Sequence, residues 1–456
     1  MLSMQSKVNS FAAYWDRRML RILLLGVISG FPWVLIGSAL TLWLKEDGLS
    51  RSTIGWAGLI FGVYAINFLW APLIDRIKIP VLTKIVGHRK AWIMSMQFLI
   101  LASLIIWSFL SPVDDLAIIV TFGLIIAISS ASQDITIDAL RIEQIGKDES
   151  AAMAAGAATA VVGWWSGYKL GGLITLVTAD WIQSLGYNNY WQISFIIICS
   201  IVILCNIGLF FIPESGTDER ILSQQKDQAD IQNQIGVSGN FGRLLAWFTA
   251  TIISPLFSFF KKNGVAIGLS ILGFIFLFKI GEAFLGRMSI LFYKEIGFSK
   301  SDIALYSKGL GWITTVSFTL VGGWFAIKAG VIRALFVSGI IMALTNLMFT
   351  FLAWSGKSEL LFAAAVLLDD LAAAFATVAF VTFISMLVDR NYTATQYALL
   401  ASIGTAGRTL MASSSGALVD WLNGDWGTFF IITALMVIPS LVLLWFIRKK
   451  IVLKVN

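Results

Sequence analysis

LKEDGLSRSTIG occupies residues 44–55, and YKEIGFSKSDIA occupies residues 293–304. Lys45, Glu46, Gly48, Ser50, Ser52 and Ile54 return as Lys294, Glu295, Gly297, Ser299, Ser301 and Ile303. Leu49 is answered by Phe298 and Arg51 by Lys300, at a constant offset of 249 residues in a chain of 456. One polar loop is therefore written twice, about half a chain apart. The surroundings of the two copies decide what kind of duplication this is.

Those surroundings are apolar. Hydrophobic residues make up 58% of the chain and charged residues 13%, where a soluble globular protein carries roughly 25% charge. Twelve apolar runs have the length of a membrane span: 21–43, 53–73, 91–111, 116–140, 151–179, 189–212, 264–292, 303–328, 330–354, 359–388, 396–420 and 426–447. They are too long for barrel strands of about 10 residues. The chain thus reads as an all-α polytopic membrane protein. The stretch before Arg21, FAAYWDRRML, is basic and amphipathic, unlike a cleavable leader, so the first span is expected to serve as its own insertion signal. Of the 33 Lys and Arg, 23 fall on the side of the N-terminus when Arg21, Lys328 and Arg333 at the inner span ends are counted with it, 5 in the opposite loops and 5 deeper within spans. That bias places both termini in the cytoplasm. The basic pI near 9.3 then follows from topology and implies no nucleic-acid partner. Cys199 and Cys205 lie inside one apolar run, where no disulfide is expected.

Residues 213–263 form the longest polar stretch. They begin with the charged PESGTDERILSQQKDQADIQNQIG and continue with FGRLLAWFTATIISPLFSFFKK, expected to be an interfacial helix. The organisation becomes a cytoplasmic segment (1–20), six spans (21–212), a cytoplasmic linker (213–263), six spans (264–447) and a cytoplasmic tail (448–456). The repeated loop follows the first span of each set. Two parallel, pseudo-symmetric six-helix bundles with twelve transmembrane helices are the architecture of the major facilitator superfamily. Gly48 and Gly297 are expected to permit a tight turn, and Ser52 and Ser301 to cap the next span. The loop reports on the fold and is silent on the substrate.

LWAPLIDR (69–76) and GHRKAW (87–92) place an acid and bases at the inner end of span 2. This resembles the conformational latch of that superfamily. Asp75, Arg76 and Arg89 are its candidates, and His88 is expected to be solvated in the same loop. Span 4 reads SSASQDITIDALRIE, with Asp134, Asp138 and Arg141 on one helix face. Asp138 and Arg141 are expected to pair and to join the Arg76/Arg89 latch. Asp134 is divided between latch and proton coupling, and all three are expected in the cytoplasmic third.

Charges buried in spans are costly, by about 2.5–3.5 kcal/mol on insertion scales, and point to function by default. Span 5 carries Lys169 in GWWSGYKLGG, span 7 carries Lys279, Glu282 and Arg287, span 8 carries Lys308, span 10 carries Asp369 and Asp370, and span 11 carries Arg408. One reading is a ring of internal ion pairs tying the halves together. The other has Lys169 and Arg408 clamping an anionic substrate, with Lys279 and Gln133 among the binding residues and Glu282 or Asp369 carrying the coupling proton. Among many intramembrane rings, including Trp43, Tyr64, Trp70, Trp165 and Trp312, those of Trp33, Trp164 and Tyr168 are singled out for a ligand, because they neighbour Pro32 or Lys169. The glycines of GYKLGG and GTAGR are read as packing sites.

GFP, LWAPLIDR, SASQDITIDA, GYKLGG, KIGEAF, SKGLG and YTATQYALLASIGTAGR together resemble the AmpG-type muropeptide permeases of the major facilitator superfamily. The resemblance runs from span 1 to span 11. The family pattern has Arg where Lys169 stands and often Asp where Glu282 stands. It implies a monomeric secondary transporter in the bacterial inner membrane that imports 1,6-anhydro-muropeptides with protons, without a cofactor. Siderophore permeases and acetyl-CoA transporters of the same broad family are the alternative. Enzyme chemistry finds no support: one histidine and two apolar cysteines make no metal cluster, and no glycine-rich phosphate loop is present.

Overall fold

The computed structural model describes residues 12–49, 53, 57–146, 148–214, 222, 226, 229–231, 245–298 and 311–451. Ser52, Ser301 and Lys308 lie outside the described residues. Helical segments occupy all twelve expected span positions. Eight helices are long and apolar enough to cross a membrane on their own: spans 1 (Arg17–Glu46), 3 (His88–Trp107), 4 (Pro112–Glu143), 6 (Tyr190–Phe210), 7 (Val265–Ser289), 9 (Val331–Ser355), 10 (Glu359–Leu387) and 12 (Trp426–Ile447). Span 2 is built from Gly58–Leu69 and Ala71–Arg76, and span 8 is described from Gly311 to Ala329. Span 5 (Ser150–Ser184) and span 11 (Thr393–Ala412) are fully described and less apolar. Their places in the two halves are equivalent. Both face other helices: span 5 packs along spans 1, 8 and 10, and span 11 along spans 2, 4 and 7.

The repeated loop now has a physical reason. Span 1 ends with Gly48 N–H on Lys45 O and Leu49 N–H on Leu44 O (3.1 and 3.0 Å). Span 7 ends with Gly297 N–H on Lys294 O and Phe298 N–H on Tyr293 O (3.1 and 3.0 Å). Both are Schellman caps, which need a left-handed residue; Gly48 has φ +84° and Gly297 φ +96°. Glu46 accepts from the Trp191 indole (2.7 Å) at the start of span 6, and Glu295 accepts from the Trp426 indole (2.6 Å) at the start of span 12. The same carboxylate thus ties the first span of each half to its last.

The two ends of the bundle differ. At the loop end each half buries its own apolar cluster, around Trp43, Trp107 and Phe195 in the first and around Phe292, Phe349 and Phe430 in the second. At the opposite end one cluster is continuous across both halves, joining Met19, Ile142 and Met153 to Phe274, Phe383 and Leu387. Hydrogen bonds between halves gather there too. We refer to it as the latch end, and it is closed. Tyr14, just before span 1, reaches across to donate to Leu320 O of span 8 (3.0 Å), beside Gly323, which has no room for a Cβ. Arg18 bridges Asp16 and Glu149 (2.6 Å each), and its guanidinium holds both carboxyls below their usual range. Described linker residues from 245 onward form a helix that ends at Asn263. Its apolar Phe248, Ile253 and Phe257 are exposed, as an interfacial helix requires.

Candidate functional site

Halfway along, the hydrogen bonding of span 1 is interrupted, although Phe31 keeps helical φ/ψ of −63°/−44°. Phe31 separates Arg17–Gly30 from a new turn opened by Pro32, and a π-turn follows over Leu35–Ala39. Span 7 breaks at the corresponding level: Val265–Leu277 stops, and Ile280–Glu295 restarts after Lys279, whose φ/ψ of −107°/14° leave the helical range. At the repeat offset Phe31 corresponds to Ile280, so the breaks coincide within two residues. Such breaks free backbone and re-aim side chains where a membrane helix lines a cavity.

In the first half the break presents rings. Trp33 contacts Tyr64 (centroids 4.4 Å apart), Phe61 (5.1 Å) and Trp164 (5.7 Å). Trp164 stacks on Tyr168 (5.6 Å, 19°) and meets Trp165 edge-on (5.1 Å). All six are half-buried, which leaves faces available to a ligand. Close contact between spans 1 and 5 holds them in place: Gly26, Gly163 and Gly167 each sit against backbone of the other helix, small-residue packing that was expected for Gly167. Asp134 joins this wall, accepting from Ser29 (2.6 Å) at the level of the break. Span 4 runs from Pro112 to Glu143, which leaves Asp134 in the third of it nearest the latch end, as expected from sequence.

In the second half the break presents charges. Lys279 pairs with Glu282 (3.1 Å) and donates to Thr377 on span 10 (2.8 Å). Arg408 and Asp369 lie within electrostatic reach of Lys279. Among the described residues Asp369 has no hydrogen-bond or ion-pair partner, and Arg408 has only Thr405 of its own helix, at 3.5 Å. Asp370 accepts from Thr314 on span 8 (3.0 Å) and lies within electrostatic reach of Lys169 across the bundle. Lys169 also stands over the Trp165 ring (5.2 Å).

Several sequence expectations need correction. Gln133 is completely buried; it accepts from Gln97 (2.5 Å) and donates to Ile28 O (2.8 Å), so it braces spans 1, 3 and 4 and is closed to a ligand. Lys279 is committed to Glu282 and Thr377 and is 7% exposed, which makes it a partner inside the wall. Trp43, which was not among the rings singled out for a ligand, is fully buried as packing against Trp107 and Phe195. His88 is 1% exposed as the first residue of span 3, with Nε2 donating to Ile74 O (2.7 Å); it is not a solvated loop residue, because the helix starts at it.

The latch is also rearranged. Asp75 accepts from Arg89 (2.7 Å), from the Ala394 and Thr395 backbone N–H groups (3.3 and 2.8 Å) and from the Thr395 hydroxyl (2.5 Å). A carboxylate of the first half thereby caps span 11 of the second, satisfying orphan N–H groups and the helix dipole. Arg89 also holds Glu143 (2.8 Å). Arg76 turns to the linker, donating to Ala250 O (2.9 Å). Asp138 and Arg141 pair (2.9 Å), as expected from their spacing, but Arg141 crosses to Ser385 of span 10 (2.9 Å) and not to the Arg76/Arg89 loop. Sequence reasoning missed Arg390, which donates to Ile142 O and Ile145 O at the end of span 4. It also missed Glu143, Ser29, Thr377 and Thr314. These partners are ordinary polar residues, and only the fold brings them to a charge.

A family model described as Major Facilitator Superfamily matches residues 22–412. The chain belongs to that superfamily. Within it, this chain is 32% identical over 436 residues to "Putative transporter AmpG 4" of Rickettsia felis, covering 96% of this chain and 98% of the relative. It is 29% identical over 429 residues to "Anhydromuropeptide permease" of Escherichia coli, covering 94% of this chain and 79% of the relative. The AmpG-type resemblance is thereby established. Among solved structures the proton:xylose symporter XylE superposes with a TM-score of 0.64 at 16% identity, each chain covered to 96%. The human organic anion transporter MFSD10 superposes with a TM-score of 0.55 at 16% identity, covering 96% of this chain and 99% of the other. These two share the fold. The chain is a multi-pass membrane transporter, and its relatives are named as transporters and permeases, not enzymes.

Proposed function

We propose that this protein is a proton-coupled importer of 1,6-anhydro-muropeptides in the bacterial inner membrane. The observation that carries this reading is the pair of unlike walls at the two helix breaks: stacked rings on one side, and on the other a bonded Lys279–Glu282 pair flanked by uncommitted Asp369 and Arg408. Aromatic faces suit sugar rings, and a cation suits the acidic peptide. The name of the Escherichia coli relative supplies the substrate class. Arg408 and Lys169 would hold the acid from opposite halves. Asp369 is the favoured proton carrier, because Glu282 is already occupied by Lys279; Asp134 is the reserve in the first half.

Both termini would face the cytoplasm, since Lys and Arg crowd the latch end. The six-span halves would run from 21 to 212 and from 264 to 447, and the closed latch would mark a state shut toward the cytoplasm, with the protein acting as a monomer. Proteoliposomes test the reading. Labelled anhydro-muropeptide should accumulate under an inward proton gradient, and a ferric siderophore should not. Asp369→Asn should abolish accumulation while sparing exchange. Accumulation of the siderophore alone would overturn the substrate, and gradient-driven accumulation by Asp369→Asn would overturn the carrier.

A further inference from the structure

The basic run His88-Arg89-Lys90 opens span 3, and successive helix positions send its three side chains in different directions. His88 goes to the Ile74 carbonyl and Arg89 to the buried carboxylates of Asp75 and Glu143. Lys90 goes elsewhere. Only 9% of it is exposed, yet among the described residues its ammonium has neither a hydrogen bond nor an ion pair. What it meets is the ring of Phe210 at the end of span 6, 5.9 Å from the centroid. The Glu214 carboxylate accepts from the Lys90 backbone N–H (3.1 Å) and not from its ammonium, so the stem is buried while the charged end is left for a further anion.

Phe210 also lines a groove of about 830 Å³ between spans 3 and 6. Phe98, Leu99, Ile207 and Phe211 line it with their side chains exposed, and Ser95 and Asn206 are its polar members. The groove runs on the outer surface of the bundle, along two helices that cross the membrane. Leu82 closes one end of it, from the short helix Leu82–Val86 that also carries the exposed Lys84. An apolar channel open to hydrocarbon, with Lys90 against its Phe210 and Lys84 on the short helix that closes one end, has the form of an amphiphile with an anionic head.

We propose that this groove binds an anionic phospholipid, one acyl chain lying between spans 3 and 6 and the phosphate resting on Lys90. The site is separate from the transport cavity. Its link to the latch is direct, because Glu214 accepts from the backbone N–H groups of both Arg89 and Lys90 (2.8 and 3.1 Å). A lipid held at Lys90 therefore steadies the same helix start that delivers Arg89 to Asp75.

Full-length protein in detergent is titrated with phosphatidylglycerol or phosphatidylcholine of identical chains, and the unfolding temperature is followed. Phosphatidylglycerol should act at roughly fivefold lower concentration, the worth of one lysine near an anionic head. Lys90→Gln should erase that preference, and Lys90→Arg should keep it. Lys328→Gln, which removes a similar lysine standing over Trp324, should leave it unchanged. Ile207→Trp, which fills the groove with the charge intact, should weaken both lipids; it also carries the test if Lys90→Gln does not fold. Equal action of the two lipids, or a preference surviving in Lys90→Gln, overturns the proposal. Stabilisation by glycerol 3-phosphate equal to that by the whole lipid overturns the acyl-chain groove.

Discussion

The two halves agree at their loop ends and disagree at their middles. Gly48 and Gly297 close the same helix cap, and Glu46 and Glu295 accept from equivalent tryptophans. Thirteen to eighteen residues earlier in the same helices, Phe31-Pro32-Trp33 stands opposite Lys279-Ile280-Gly281-Glu282. A turn has few chemical solutions, since a left-handed position needs glycine and a Schellman cap fixes its hydrogen bonds. A cavity wall has many solutions, and each half is free to specialise. The repeated part is scaffold; the divergent part is where the substrate is read.

Four experiments break or sharpen this contrast, in order of expected size. Lys279→Ala and Glu282→Ala each strand a desolvated charge, which typically costs 2–5 kcal/mol, so transport should fall roughly thirtyfold or more. The exchange Lys279→Glu with Glu282→Lys should recover part of it. Single variants that transport at near wild-type rate would reduce the charged wall to packing. Next, Arg408→Ala and Lys169→Ala should weaken binding of the acidic ligand by about thirtyfold and spare a neutral analogue. Equal losses for both ligands would make the two cations structural. Asp75→Asn should slow turnover by about tenfold, as expected for loss of one charge-assisted bond, with affinity unchanged within a few fold; binding that falls as far as turnover would place Asp75 at the substrate. Smallest is Trp33→Ala, where loss of about 0.5–1.5 kcal/mol of ring contact should weaken affinity by roughly two- to twelvefold. A peptide lacking the sugars should not notice it. If it does, the aromatic wall does not read the sugar.

The contrast also measures how much of the site was legible. Lys169, Lys279, Glu282, Asp369, Asp370 and Arg408 stood out because a charge inside an apolar run is expensive wherever it points. Gln133 looked like one of them and is a brace, because an amide in a span can be satisfied by Gln97 and a carbonyl without facing the cavity. Asp75 and its partner Arg89 were legible as latch residues, but the other partners of Asp75 were not. They are two backbone N–H groups and a hydroxyl of span 11, 319 and 320 residues away, and a backbone donor leaves no mark in a sequence. His88 and Lys90 differ in the same way, since adjacent letters on a helix go to different neighbours.

By itself the sequence determined the membrane class, the span positions and the duplication. Each of these rests on local chemistry: hydrocarbon demands about 20 apolar residues per crossing, and a helix end demands its glycine. Tertiary structure alone decided which charges are spent on one another and which remain open. Lys279 is bound to Glu282 and Thr377, while Asp369 and Arg408 keep no carboxylate or ammonium partner within bonding distance. That distinction depends on which helices lie side by side at the break, and packing at that level joins residues about a hundred positions apart.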